Sequence, residues 1–225
     1  MVEPSTKYDK PGWFFRFRFW VSKLIYDLIF AVLVRDGSWQ EILRASLAPK
    51  ANDRILNFGL GCLSSAVALA VRYPEATFIG VDPNAKAVEE MQRSVVRKQL
   101  GNVALVEAPC SGKLPFDVSS FDTVLCILAL HDSPPDEKLG IVKEIARVLR
   151  RGGTLYVADF DKPENRGEGG ILDFASRISG AAAVASHIDG SWTEILAKAG
   201  LAGVKRQSSH SIGIGRISVV KARKR

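Results

Sequence analysis

Cysteine is scarce in this chain. The three present, Cys62, Cys110 and Cys126, are an odd number at wide spacing with no CxxC pair. That excludes a disulfide framework and a zinc cluster, and a reducing compartment is expected. Histidine is as sparse, with His131, His187 and His210 only, and neither His187 nor His210 has a partner at metal-ligand spacing. No metal site is therefore expected. Long apolar runs are missing too. The longest, Val21 to Val34, contains Lys23 and Asp27 and falls short of the roughly 20 residues a membrane-spanning helix needs. The opening MVEPSTKYDK carries no signal-peptide core. The expectation is a cytoplasmic protein, with a peripheral place at a membrane surface as its variant.

Acidic residues are absent from 201–225, which hold seven basic ones: Lys205, Arg206, Arg216, Lys221, Arg223, Lys224 and Arg225. The formal net charge of +7 is thus a property of the C-terminal stretch, and the rest of the chain is neutral. A protein that grips nucleic acid across a broad face spreads its basic residues over that face. A nucleic-acid partner is therefore not expected, whereas attraction to an anionic membrane surface fits. The closing KARKR reads as a solvated tail.

Aromatic residues, by contrast, crowd residues 1–50, among them Trp13, Phe14, Phe15, Phe17, Phe19, Trp20, Tyr26 and Phe30. The Phe15-Arg16-Phe17-Arg18-Phe19 alternation is strand-like, while the following VSKLIYDLIFAVL suits a helix. Two readings stand for this segment, a helical lid over a cleft or a membrane-interface element. Either implies an apolar substrate or access route.

Residues 51–225 read as one α/β domain. RILNF (54–58), TFIGVD (77–82), VALVE (103–107), FDTVLCILAL (121–130) and TLYVADF (154–160) are short apolar runs bounded by turn residues, as buried strands are. Helices are predicted at Ser64 to Tyr73, at Asn84 to Lys98 and from a Ser133 cap, with Pro134 first, to Arg150. A further helix, Ser191 to Lys198, precedes strands near 201–209 and 214–221, which must form an antiparallel hairpin. The fold class is Rossmann-like: a doubly wound, mostly parallel seven-stranded sheet closed by that hairpin.

In such sheets a ligand binds beyond the carboxyl ends of the strands. Asn57-Phe-Gly59-Leu-Gly61 joins the first strand to its helix, where small residues admit a ligand close to the backbone. Asp82 ends the second strand, 21 residues after Gly61, where a carboxylate accepts both hydroxyls of a ribose. A tight turn with Asp82 capping the next helix would use the same residues. A dinucleotide and S-adenosylmethionine both suit this pattern.

The remaining segments resemble the class I S-adenosylmethionine-dependent methyltransferases, and within them the ubiquinone/menaquinone-biosynthesis (type 11) group. They are Ile55-Leu-Asn-Phe-Gly-Leu-Gly61, Ile79-Gly-Val-Asp82, Leu114-Pro-Phe116 with Phe121-Asp122-Thr-Val124, and Arg147-Val-Leu-Arg-Arg-Gly-Gly153. Asp159-Phe-Asp-Lys-Pro163 and Leu196-Ala-Lys-Ala-Gly200 extend the resemblance. It implies S-adenosylmethionine as cofactor, with Gly59 and Gly61 against its methionine part and Asp82, followed by Pro83, on its ribose. Backbone at Cys126 and Ile127 would face the sulfonium and amino group, and Glu107, Cys110 or Ser111 the adenine. Two positions depart from the family pattern: its first acid is Asn57 here, and its third glycine is Leu63.

His131, followed by Asp132, falls where the fourth strand turns into its helix, and an imidazole there suits proton transfer near neutral pH. A substrate-shaping or helix-capping role fits the same position. The expected activity is methyl transfer to an apolar or lipid-like acceptor, such as a quinone precursor or a phospholipid amine. A cofactor-binding protein that has lost catalysis, or an RNA or protein methyltransferase, would use the same fold. The nucleic-acid amino-methyltransferase motif is absent, since in Asp132-Ser-Pro-Pro135 a serine intervenes and Asp136 replaces the aromatic.

Overall fold

The computed structural model describes residues 38–59, 64–109 and 112–225. The aromatic segment, Gly61, Leu63, Cys110 and Ser111 lie outside them. Among the described residues no helix is long and apolar enough to cross a membrane.

Seven strands form one sheet: β1 (Arg54–Phe58), β2 (Thr77–Asp82), β3 (Val103–Glu107), β4 (Phe121–Ile127), β5 (Leu149–Phe160), β6 (Leu201–Ser211) and β7 (Arg216–Lys224). Their order is β3-β2-β1-β4-β5-β7-β6. The first five are parallel, and β7 runs antiparallel to both β5 and β6. The switch in strand order therefore falls between β1 and β4, the two most central apolar runs. Four of the five β1 residues are buried.

Helices cover both faces. On one, α4 (Pro135–Val148) and α7 (Glu194–Lys198) bury Ile141, Val142, Ile145, Val148 and Leu196 against Leu56, Phe58 and Val124. On the other, α2 (Ser64–Arg72) and α3 (Ala85–Arg97) join Val67, Met91 and Val95 over β3. α1 (Ser38–Ser46) packs along β6 and β7. Asn84 caps α3 by accepting from the N–H groups of Lys86 and Ala87. α4 starts at Pro135, whose missing N–H costs nothing in a first turn, with Asp136 and Glu137 at the positive end of its dipole. It begins one residue later than the Ser133 cap implies, because Pro134 takes the capping position.

Four sequence expectations are corrected. β4 stops at Ile127 rather than 130, because Leu128 turns to φ +51° and hands its N–H to the Ala158 carbonyl. β5 begins at Leu149 directly from α4, without the gap to Thr154. Residues 170–189, where no strand or helix is predicted above, form α5 (Gly170–Ser179) and α6 (Ala181–Asp189), parted by Gly180 at φ +90°. KARKR is no tail: Lys221 to Lys224 belong to β7, and Lys224 Nζ donates to the Leu149 carbonyl at 2.7 Å.

Candidate active site

The carboxyl ends of β2, β1, β4 and β5 converge at the switch point. Gly59, just past β1, adopts φ +82° while its N–H bonds the Val81 carbonyl at 3.0 Å. A Cβ there would stand 3.1 Å from Ala129 Cβ and 3.4 Å from the Ile127 carbonyl. Conformation and space both require glycine at this point. Asn57 is 1% exposed; its amide nitrogen reaches the Gly59 carbonyl at 3.4 Å, while its Oδ1 has no partner among the described residues. A buried amide oxygen left unpaired is costly and marks a place for a donor.

Asp82 is buried, and its Oδ1 accepts the Asn84 N–H at 2.8 Å. Glu107 stands beside it in register on β3 and is exposed, as is Pro83. Cys126 and Ile127 are buried in β4 next to Phe58 of β1, so only their backbone is offered at this edge. Gly61 and Cys110 lie outside the described residues. The fit to an adenosyl sulfonium cofactor is good. Asn57 Oδ1 can accept from an ammonium, Gly59 leaves the cradle open, and Asp82 ends the strand where ribose hydroxyls would lie.

Behind this edge stands a buried histidine. His131 is 3% exposed, and its Nδ1–H donates to Asp159 Oδ1 at 2.9 Å. The same carboxylate accepts the N–H groups of Leu130 and Phe160, each at 2.8 Å. A carboxylate accepts only, so the neutral ring carries its proton on Nδ1 and leaves Nε2 as the basic nitrogen. Burial alone would lower the His131 pKa, but the Asp159 charge and hydrogen bond outweigh it and hold it above the usual range. Asp159, opposed by its own burial, is held well below the carboxylate range by the His131 charge and hydrogen bond. Asp132 is exposed and contributes only its charge. The carboxylate that serves His131 is Asp159, which sequence adjacency conceals.

Further groups support this pair. The Phe160 ring meets His131 edge-on at 4.8 Å. His187 Nδ1–H donates to the Phe160 carbonyl at 2.6 Å, and its ring stacks on Trp192. Burial pushes the His187 pKa down to about 4, so it is neutral at pH 7. It is a core residue. His210 lies in β6. Lys138 Nζ, buried, donates to the Ala183 carbonyl and to Ser186 Oγ, tying α4 to α6. Burial lowers its pKa to about 8. No group of three or more metal-binding side chains occurs among the described residues.

Comparison with known proteins agrees with this fold. Residues 55–153 match the family described as a methyltransferase domain. The ubiquinone/menaquinone biosynthesis C-methyltransferase UbiE of Syntrophotalea carbinolica is 30% identical over 145 residues, 62% of this chain and 58% of that protein. The demethylmenaquinone methyltransferase of Mycobacterium sp. (strain KMS) is 32% identical over 143 residues, 63% and 57% respectively. The chain thus spans less than two thirds of these relatives. A SAM-dependent methyltransferase structure from Aquifex aeolicus superposes with a TM-score of 0.64 at 17% identity, covering 91% of this chain and 97% of that one. Residues 55–153 are thus similar to a methyltransferase domain, and the superposition shows a shared fold.

Proposed function

We propose that the chain transfers a methyl group from S-adenosylmethionine to an apolar acceptor of the quinone-precursor type, with His131 as general base. The observation that carries this reading is the buried His131–Asp159 pair, two residues beyond the Ala129 that packs on Gly59. When bound, the cofactor supplies an electrophilic methyl group on a sulfonium. The chain's own residues do the rest. Asn57 Oδ1 receives the cofactor's ammonium, Gly59 admits its methionine part, and Asp82 receives the ribose. Backbone at Cys126 and Ile127 lines the reacting end, and Glu107 borders the adenine. As the acceptor's carbon or oxygen gains the methyl, its proton passes to His131 Nε2, and Asp159 stabilises the imidazolium that forms. Burial excludes water and so strengthens both steps.

An apolar acceptor is supported by the quinones named in the two relatives and by the aromatic residues at 13–30, as a lid or as a membrane-interface element. The test is transfer of labelled methyl to a panel holding a demethylated naphthoquinol, a catechol-type phenol and phosphatidylethanolamine. Label in the quinol or phenol, lost in His131→Ala with cofactor affinity unchanged, is expected. Label in the phosphatidylethanolamine alone would replace the quinone reading with a phospholipid amine.

A further inference from the structure

The basic C-terminal run has no part in the site above, yet the fold gives it a definite place. Lys221 and Arg223, on β7, line a cleft of about 330 Å³ at the amino edge of the parallel strands, the edge opposite the cofactor cradle. Lys50, in the segment leaving α1, and Arg150, at the start of β5, complete its cationic lining. Two acids, Asp53 and Asp122, share the wall, and both are already engaged. Asp53 accepts the Lys50 N–H at 2.9 Å. Asp122 accepts the Arg54 N–H at 2.7 Å and pairs with Arg150. Lys50, Lys221 and Arg223 form no ion pair with a described carboxylate; Lys221 Nζ instead stands 5.3 Å from the centroid of the Tyr156 ring.

The ladder adds an independent sign. Lys221 sits directly opposite Lys205 across β6 and β7, and Arg223 follows two residues on, on the same face. Like charges placed opposite one another in a ladder repel. Of these cations, Lys221 and Arg223 reach the cleft, where with Lys50 and Arg150 the cations outnumber the two acids and Thr123 and Thr154 stand on the same wall. Guanidinium forks and ammonium groups around a small concave space match the charge and shape of a phosphate.

We propose that this cleft binds a phosphate group, separately from the cofactor and the methyl acceptor. The phosphate belongs to a small soluble ester or to an anionic lipid headgroup, and the two sources are separable. Wild type, Lys221→Gln/Arg223→Gln and the charge-matched control Lys86→Gln/Lys98→Gln, all full length, are titrated with inorganic phosphate by calorimetry. The same three are floated with phosphatidylglycerol-containing and with pure phosphatidylcholine vesicles. At least a tenfold loss confined to the cleft variant is expected. Loss toward phosphate identifies a soluble source, and loss toward phosphatidylglycerol vesicles alone identifies a headgroup. Unchanged affinity for S-adenosylhomocysteine certifies that both variants are folded. No binding by wild type, or equal loss in the two variants, overturns the proposal.

Discussion

Asp159 receives three hydrogen bonds, one from the His131 ring and two from backbone N–H groups, so it both sets the tautomer of the histidine and raises its basicity. Asp159→Asn removes the charge and leaves burial as the dominant influence on His131. The lower-pH limb of the rate profile should then move to lower pH, with turnover down by roughly 10²–10⁴-fold, the range general base catalysis supplies. A pH–rate series checks both, and an unmoved limb would assign it to another group. His187 gives a stability prediction of defined sign. Its ring stays neutral in the fold down to about pH 4, whereas in the unfolded chain it gains a proton below about 6.5. Stability should therefore fall as pH drops from about 6.5 toward 4, by roughly 3 kcal/mol in all. His187→Gln should flatten that part of the curve in urea melts. Sequence reading singled out His131, Asn57, Gly59 and Asp82 because each stands at or near the end of an apolar run. It missed Asp159, His187 and Lys138 because their partners lie 27 to 45 residues away along the chain.

Gly153 shows how an element junction constrains its sequence. α4 passes into β5 without a linker, and a Cβ at Gly153 would sit 2.8 Å from the Arg150 carbonyl and 3.0 Å from that of Asp122. Gly153→Ala should cost roughly 1–3 kcal/mol, as forced overpacking does, read as a lower urea midpoint with unchanged slope. The same junction explains where sequence reading stopped short. The double glycine read as a break between helix and strand, yet it lies inside the strand, opposite the start of β4. Likewise the apolar letters of residues 121–130 run past the true end of β4, because Leu128 changes backbone region without changing hydrophobicity. The five parallel strands and the closing hairpin were legible, since each is an apolar run bounded by turn residues. The α5–α6 pair was not: α6 is alanine-rich and carries little periodicity, and α5, though Ile171, Leu172 and Ala175 lie at helical spacing, follows a glycine-rich stretch that reads as loop.

At the scale of the molecule, the sheet separates two chemistries. Its carboxyl edge presents an amide oxygen without a partner among the described residues, a required glycine and a buried acid–histidine pair, while its amino edge gathers cations. The departure of Asn57 from the family's acid is compatible with this division, because its Oδ1 remains a buried acceptor in need of a donor. The claim on which the functional account stands is that Asn57, Gly59 and Asp82 form a working S-adenosylmethionine site. Calorimetric titration of the full chain with S-adenosylhomocysteine, beside Asp82→Ala, tests it most directly. The account predicts one-to-one binding of micromolar affinity by the wild type and at least a tenfold loss in the variant. An absence of saturable binding, or equal affinities for the two proteins, would contradict it.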